Sequence, residues 1–281
     1  MNYKLSVLIP CYNDESTIIE VLNSVINQKK IPEQIVIIDD CSTDNTVSLV
    51  NKFILDNYNI NIEFFQNEKN LGLFLSLKSN IDKLKNDIVF LGSANDLVYY
   101  DFFYDALNCF NSNDNIKLFF GGFEAKLEDK VLYKKFLNNY SKISIIKPKN
   151  YLKDVLLSNE IGISFSPSTI YHKETLIKNF FIENLHSYHD TFTNNLIGLK
   201  YETCYSPKIY SSWQYSASSY SQKNTSRKFI IYINVLKLIL FSNYKYLFNL
   251  SYILKWTLII PIKIIYNIIF PYYKRLPKFK N

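Results

Sequence analysis

Four apolar runs, KLSVLIP, EQIVIIDD, NIEFFQN and DIVFLG, constrain this chain more than any other feature of its first hundred residues. Each reads as a strand, and EQIVIIDD, with its continuous apolar centre, suits burial on both faces. Segments of helical periodicity separate them. STIIEVLNSVINQ, residues 16–28, spaces Ile18, Ile19, Leu22, Val25 and Ile26 along one helix face, with Ser16 as the expected N-cap. TDNTVSLVNKFILDN and LFLSLKSNIDKL read as two more helices. Alternation of this kind implies right-handed βαβ units on a mostly parallel, Rossmann-like α/β sheet flanked by helices. Ligands in such folds bind beyond the C-terminal strand ends. Those ends read PCYND, DDCSTD, QNEKNLG and GSAND, all polar.

Beyond residue 98 the pattern is less regular. KLFFGGFEAKL and TCYSPKIYSSW read as strands, ETLIKNFFIENL and HDTFTNNLIGLKY as helices. The net charge of +7 conceals an asymmetry. Residues 223–281 carry eleven Lys and Arg and no Asp or Glu, whereas 1–222 hold 21 basic and 25 acidic residues. A composition shift near Ser221 therefore divides a domain, 1–222, from a basic tail, 223–281. Cys11, Cys41, Cys109 and Cys204 form no CxxC pair, so reduced thiols are expected rather than a disulfide frame or a zinc site. His172, His186 and His189 show no metal-ligand spacing. The opening MNYKLSVLIPCYND has an apolar run too short for a signal peptide and cut by Pro10, so a cytoplasmic location is expected.

Taken in order, SVLIPCYND, Gln28, EQIVIIDDCSTDNT, NLG and FLGSAND resemble the inverting family 2 glycosyltransferases with the GT-A fold, of the bacterial surface-polysaccharide type. The resemblance covers residues 4 to about 222. It implies a nucleotide-sugar-binding half, 1–97, and an acceptor-binding half, 98–222. By resemblance, Asp39 and Asp40 hold the nucleotide, and Pro10, Tyr12 and Asn13 line the base pocket. A carboxylate at a strand end can accept from a pyrimidine N–H or a ribose hydroxyl. The competing role for the pair is capping the next helix, for which Asp44 and Ser42 are better placed. Pro10 and Asn13 could equally be turn formers. In NLG, Gly72 permits a tight turn with Asn70 as turn residue, a structural role at least as fitting as ligand contact.

Many relatives carry an aspartate-rich run where this chain reads SAND. Asp96 keeps the aspartate that binds Mn2+ or Mg2+ with the donor diphosphate, and Asn95 replaces its neighbour, offering an oxygen without charge. A turn-capping Asp96 is the alternative. An arginine common in the NLG helix is also absent, with Lys78 the nearest basic substitute or a solvated side chain. HSYHDTFTNNLIGLKYETCYSP resembles the segment that carries the catalytic base, which places Asp190 as the group deprotonating the acceptor hydroxyl. Its alternative is an N-cap, and one oxygen can serve each role. Ser166, Ser168 and Trp213 are candidates for acceptor contacts, though buried aromatics more often belong to a core. Gln214 stands where relatives often have Arg.

The tail segment WTLIIPIKIIYNIIFPYY approaches the roughly 20 apolar residues of a membrane span. Lys263 at its middle would cost about 2.5–3.5 kcal/mol on insertion, and Pro261 adds a kink. Lys255, Lys263 and Asn267 fall within an arc of about 120° on a helical wheel. That pattern favours an amphipathic helical tail lying on an anionic membrane surface, with Trp256 at headgroup depth. No nucleic-acid module is visible. The expected function is transfer of a sugar, with inversion, from a UDP-linked donor to a hydroxyl of a growing, lipid-linked surface glycan, as in lipopolysaccharide assembly. The competing class is a non-catalytic nucleotide- or glycan-binding relative, motivated by Asn95 and Gln214. A nucleotidyltransferase lacks its glycine-rich loop after the first strand.

Overall fold

The computed structural model describes residues 2–127, 129–157, 166–180 and 189–214. The expected basic tail and the boundary at 222 lie outside the described residues.

The four apolar runs form β1 (Leu5–Cys11), β2 (Gln34–Asp39), β3 (Ile62–Gln66) and β4 (Ile88–Leu91). Every residue of β1 and β2 is buried, which explains their largely apolar character. All pair in parallel, in the order β3-β2-β1-β4, with Leu8 opposite Val36 and Leu91. Pro10 lies within β1 rather than ending it. The intervening helices are α1 (Ile18–Ile26), α2 (Thr46–Asp56) and α3 (Leu73–Asn80). Ser16 does not cap α1. Thr17 takes that place without a side-chain capping bond, and its hydroxyl donates to the Asp14 carbonyl at 3.4 Å.

The sheet continues through both expected halves. β5 (Leu97–Val98) and α4 (Phe102–Ser112) follow, then β6 (Ile116–Leu127), β7 (Lys130–Lys135), β8 (Ser144–Ile146) and the short helix α5 (Pro148–Tyr151). After a 3-10 turn at Ser166–Ser168 come β9 (Thr169–His172), α6 (Lys173–Phe180), α7 (His189–Lys200) and β10 (Glu202–Gln214). The full order is β3-β2-β1-β4-β9-β6-β10-β5, with β7 on β6 and β8 on β10. β9 runs against β4 and β6, and β6 and β10 run parallel to each other.

Two apolar layers cover the sheet. One joins α1 and α4 to Ile9, Ile37, Phe90, Phe119 and Tyr210. The other joins α3, α5 and α7 to Leu8, Val36, Phe120, Phe123 and Tyr205. Two close approaches require glycine. A Cβ on Gly198 of α7 would lie 2.1 Å from the Tyr151 ring, and one on Gly121 would lie 2.3 Å from the Tyr210 ring. Contrary to the expectation of reduced thiols, Cys109 and Cys204 are joined as a disulfide. Their separation of 95 residues hid the pairing, and both lie in the layer where α4 packs on β10.

Candidate active site

The first two strand ends are stitched to each other. Asn13, at φ 55°, accepts from Thr43 N at 2.8 Å, and its own N–H donates to Ser42 Oγ at 2.9 Å. Asp14 N donates to Thr46 Oγ1, and Glu15 Oε2 accepts from both nitrogens of Asn45. Asp44, one position before the N-cap of α2, accepts from Thr46 N through Oδ1 at 2.9 Å; that N-cap is Asn45, which makes no side-chain capping bond. Ser42 is engaged with Asn13 instead. This frame leaves Tyr12 exposed beside the strand ends. It also gathers Asp14, Asp39 and Asp44. Burial raises the Asp14 carboxyl above its ordinary range, and the charges of Asp44 and Asp39 add to that, against the N–H of Tyr12. Buried Cys11 beneath Asp39 is pushed upward by burial and then by the Asp39 charge.

Asp39 and Asp40 part company here. Asp39, at the end of β2, accepts one backbone bond, from Ser42 N at 3.0 Å. Asp40 is turned into the next loop, where Oδ1 accepts from Asn67 Nδ2 at 2.7 Å and Leu71 N at 3.0 Å, and Oδ2 from Gly72 N at 2.8 Å. Asp40 therefore holds the NLG turn in shape, so its expected place beside Asp39 as a nucleotide ligand is corrected to a structural one. Asn70 Oδ1 accepts from the same Gly72 N–H, and Gly72 has φ 78°, as a turn role demands. Lys78 lies exposed in the last turn of α3.

The SAND loop is clamped from two sides. Val98 N donates to Ser24 Oγ, Val98 O accepts from the buried Gln28 amide, and Tyr100 O accepts from Lys29 N. From the other side, Tyr99 N donates to Tyr210 O and Gln214 N donates to Asp96 Oδ1 at 3.0 Å. Gln28 thus acts as a strut, a role its place in the motif did not reveal. Asn95 Oδ1 accepts from Ser93 Oγ on its own loop. Asp96 keeps part of its surface exposed, but the surrounding protein strips hydration from the carboxyl and pushes it up to about 7, against the Gln214 N–H. Its Oδ2 accepts no hydrogen bond among the described residues. No cluster of three or more His, Cys, Asp or Glu exists among the described residues that could cage a metal. A desolvated carboxylate with one open oxygen fits a divalent ion whose other ligands come from a diphosphate.

Asp190 sits in the first turn of α7, where Oδ1 accepts from the N–H and hydroxyl of Thr191. Its charge reaches the buried Tyr171, whose hydroxyl donates to Asn194 Oδ1 at 2.7 Å. Neighbouring His189 is buried and stacks on Phe74 of α3, with centroids 4.1 Å apart. Phe74 lies two residues after Gly72, so Asp40, the NLG turn, Phe74 and His189 form one chain of contacts that brings Asp190 toward the nucleotide loops. Trp213 is half-buried on the same layer as α7. Ser168 is not an acceptor contact, because it is fully buried and donates to the Gly121 carbonyl at 2.6 Å. The Ser166 side chain lies outside the described groups.

Residues 6–180 match the family described as glycosyl transferase family 2. The poly(ribitol-phosphate) beta-N-acetylglucosaminyltransferase TarS of Staphylococcus aureus is 41% identical over 71 residues, 25% of this chain and 12% of TarS. The dTDP-rhamnosyl transferase RfbG of Shigella flexneri is 27% identical over 190 residues, 57% of this chain and 65% of RfbG. This chain thus matches only an eighth of the length of TarS and just under two thirds of RfbG. In structure, residues 1–349 of S. aureus TarS in complex with UDP-GlcNAc superpose with TM-score 0.66 at 20% identity, covering 85% of this chain and 67% of that one. The mannosyltransferase PcManGT of Pyrobaculum calidifontis, in complex with GDP-Man and Mn2+, superposes with TM-score 0.59 at 14% identity, covering 85% and 64%. With its GT-A fold and the match over residues 6–180, the chain belongs to glycosyltransferase family 2.

Proposed function

We propose that this protein transfers a hexosyl or N-acetylhexosaminyl group, with inversion, from a UDP-linked donor to a hydroxyl of a growing cell-surface glycan. The observation that carries the reading is Asp96 in the loop after β4, desolvated and with its carboxylate bonded by the Gln214 N–H through one oxygen. Asp39, released from the loop duty that Asp40 performs, accepts from the base or ribose. UDP as carrier is supported by the UDP-GlcNAc complex of TarS, and RfbG, by its name, uses another pyrimidine carrier. Mn2+ or Mg2+ would be held by Asp96 and the donor diphosphate, and would neutralise charge on the leaving group.

The remaining chemistry belongs to the chain. The acceptor oxygen bonds to the anomeric carbon as the bond from that carbon to the diphosphate breaks, and the hydroxyl proton passes to Asp190. Thr191 orients Asp190 through Oδ1. A cytoplasmic enzyme resting peripherally on the inner face of the membrane, with a lipid-linked acceptor, accords with the basic residues of 223–281.

Calorimetric titration with UDP, dTDP, GDP and CMP, with and without Mn2+, tests the reading. Metal-dependent binding of UDP, lost in Asp96→Ala, is expected. A folded sample that binds none of the four overturns it in favour of a non-catalytic relative.

A further inference from the structure

A row of residues runs across the sheet from Trp213 to an exposed aromatic ring. Gln214 N donates to Asp96 Oδ1, which sets Trp213 one residue from a bond to the SAND loop. Trp213 is in register with Ala125 on β6, and Ala125 with Tyr133 on β7. Residues in register share one face of a sheet. Two contacts fix which face. The Tyr133 ring meets Phe123 edge-on at 6.4 Å, and Phe123 and Trp213 both pack in the layer beneath α7. The intervening residues point the other way, where Lys134 pairs with Glu124 at 3.7 Å. The face that carries Trp213 and Tyr133 is therefore the face on which the helix of Asp190 packs.

We propose that Trp213 and Tyr133 form an aromatic platform for successive sugar rings of the acceptor, and that the acceptor is a glycan of at least two linked sugars. The inference rests on the roles given above to Asp96 and Asp190. The reacting hydroxyl must lie beside those groups, and Trp213 adjoins Asp96 through Gln214. Aromatic faces suit the C–H faces of sugars, and the hydroxyls around such a ring remain free for solvent. Tyr133 keeps 39% of its surface exposed. It stands two strands beyond Trp213, roughly 10 Å away by strand spacing. A single sugar ring bound at the reacting position does not reach it, whereas the next sugars of a chain do. Ala125, small and fully buried between the two aromatics, keeps the row free of a third bulky side chain.

The protein has two tryptophans, so Trp256→Phe makes Trp213 the single indole reporter. In that background, with Mn2+ and UDP present, its fluorescence is followed against matched mono-, di- and tetrasaccharides of glucose, N-acetylglucosamine and rhamnose. We expect a tetrasaccharide to bind about tenfold more tightly than its monosaccharide, an advantage lost in Tyr133→Ala and kept in Tyr133→Phe. UDP affinity, measured by calorimetry, should be the same in all three proteins, which excludes a folding defect. Equal affinity for short and long saccharides, an advantage that survives Tyr133→Ala, or UDP binding with no response to any saccharide overturns the platform alone. Absence of UDP binding overturns the catalytic reading beneath it.

Discussion

Replacing Asp39 and Asp40 one at a time should separate a ligand from a structural clamp. Asp40 is 4% exposed, and its carboxylate receives three donors from the loop at residues 67–72. In Asp40→Ala the Leu71 N–H loses its bond outright, while the Asn67 amide keeps Ser76 Oγ and Gly72 N–H keeps Asn70. Hydrogen bonds to a charged group contribute about 1.5–3 kcal/mol each. The donors sit at a half-exposed loop where water can replace part of the loss, so about 1 kcal/mol apiece is the fair figure, roughly 3 kcal/mol in all. For a domain of this size that corresponds to a Tm about 6–12 °C lower.

Asp39→Ala removes one backbone bond, from Ser42, and a weak thiol contact. It also relieves repulsion on Asp14. Its net cost is about 1 kcal/mol or less, a shift of roughly 2–4 °C. Nucleotide affinity should follow the reverse order, with Asp39→Ala losing UDP binding measured below its own Tm. Thermal unfolding by circular dichroism, paired with calorimetry, reads both quantities. If Asp39→Ala proves the more destabilising, or Asp40→Ala melts within about 2 °C of the parent, the division of labour between the two carboxylates is wrong.

Other perturbations follow from the same geometry. Asp190→Asn, which keeps an amide oxygen to accept from Thr191, should lower transfer about 10²–10⁴-fold while UDP affinity and Tm stay near the parent values; retained turnover would remove Asp190 from the mechanism. Gly198→Ala drives a methyl to 2.1 Å from the Tyr151 ring and should cost about 1–3 kcal/mol in denaturant unfolding, a cost that Tyr151→Leu in the same chain should reduce. His172 is held below its usual range by burial and then by Lys117, with Asp87 and Glu174 opposing and Lys178 adding. The unfolded chain therefore takes up its proton first as pH falls. Stability from the neutral imidazole is complete above about pH 6.5 and declines as pH drops toward the lower folded value. His172→Gln should flatten that decline in melts run from pH 7.5 to 5, and an unchanged slope would refute the assignment.

The elements legible in the sequence are those whose environment is uniform. β1 and β2 are mostly apolar because both faces are covered, and the one polar residue inside β1, Ser6, donates to Gln34. Two-residue β5 has no periodicity of its own and is a strand only through Ser211 and Ser212 of β10. α4 carries Asp105 on its buried side, which breaks the apolar face that would mark a helix. Tyr210 and Lys208, a hundred residues away, satisfy that carboxylate. At the site the motifs located the loops but not the duties within them. Asp39 and Asp40 are chemically identical, and only the return of residues 67–72 over Asp40 tells them apart. Ser168 is an acceptor candidate because the segment IGISFSPSTIYHKETL resembles the loop and strand that shape an acceptor pocket, yet its hydroxyl donates to the Gly121 carbonyl at 2.6 Å.

The replacement of an aspartate by Asn95 also takes a different meaning in three dimensions. Position and charge are separate requirements for a metal ligand, and the SAND loop meets the first without Asn95. Ser24, Gln28 and Lys29 hold it from α1 and its exit, and Tyr210 and Gln214 hold it from β10. Asn95 bonds within the loop, to Ser93, so the amide preserves the local fold an aspartate there would have to share with a cation. What is lost is one negative charge. Desolvation pushes Asp96 up to about 7 against the Gln214 N–H, and no cation among the described residues pairs with the carboxylate. Attraction for a divalent ion then depends on the diphosphate to a greater degree than at a site with two aspartates. Metal affinity should be weak in the absence of nucleotide and rise sharply with it, because binding of either partner completes the coordination of the other. Titrating Mn2+ by calorimetry with and without saturating UDP measures that coupling directly. Equal affinity in the two titrations would mean that protein groups other than Asp96 supply the missing charge.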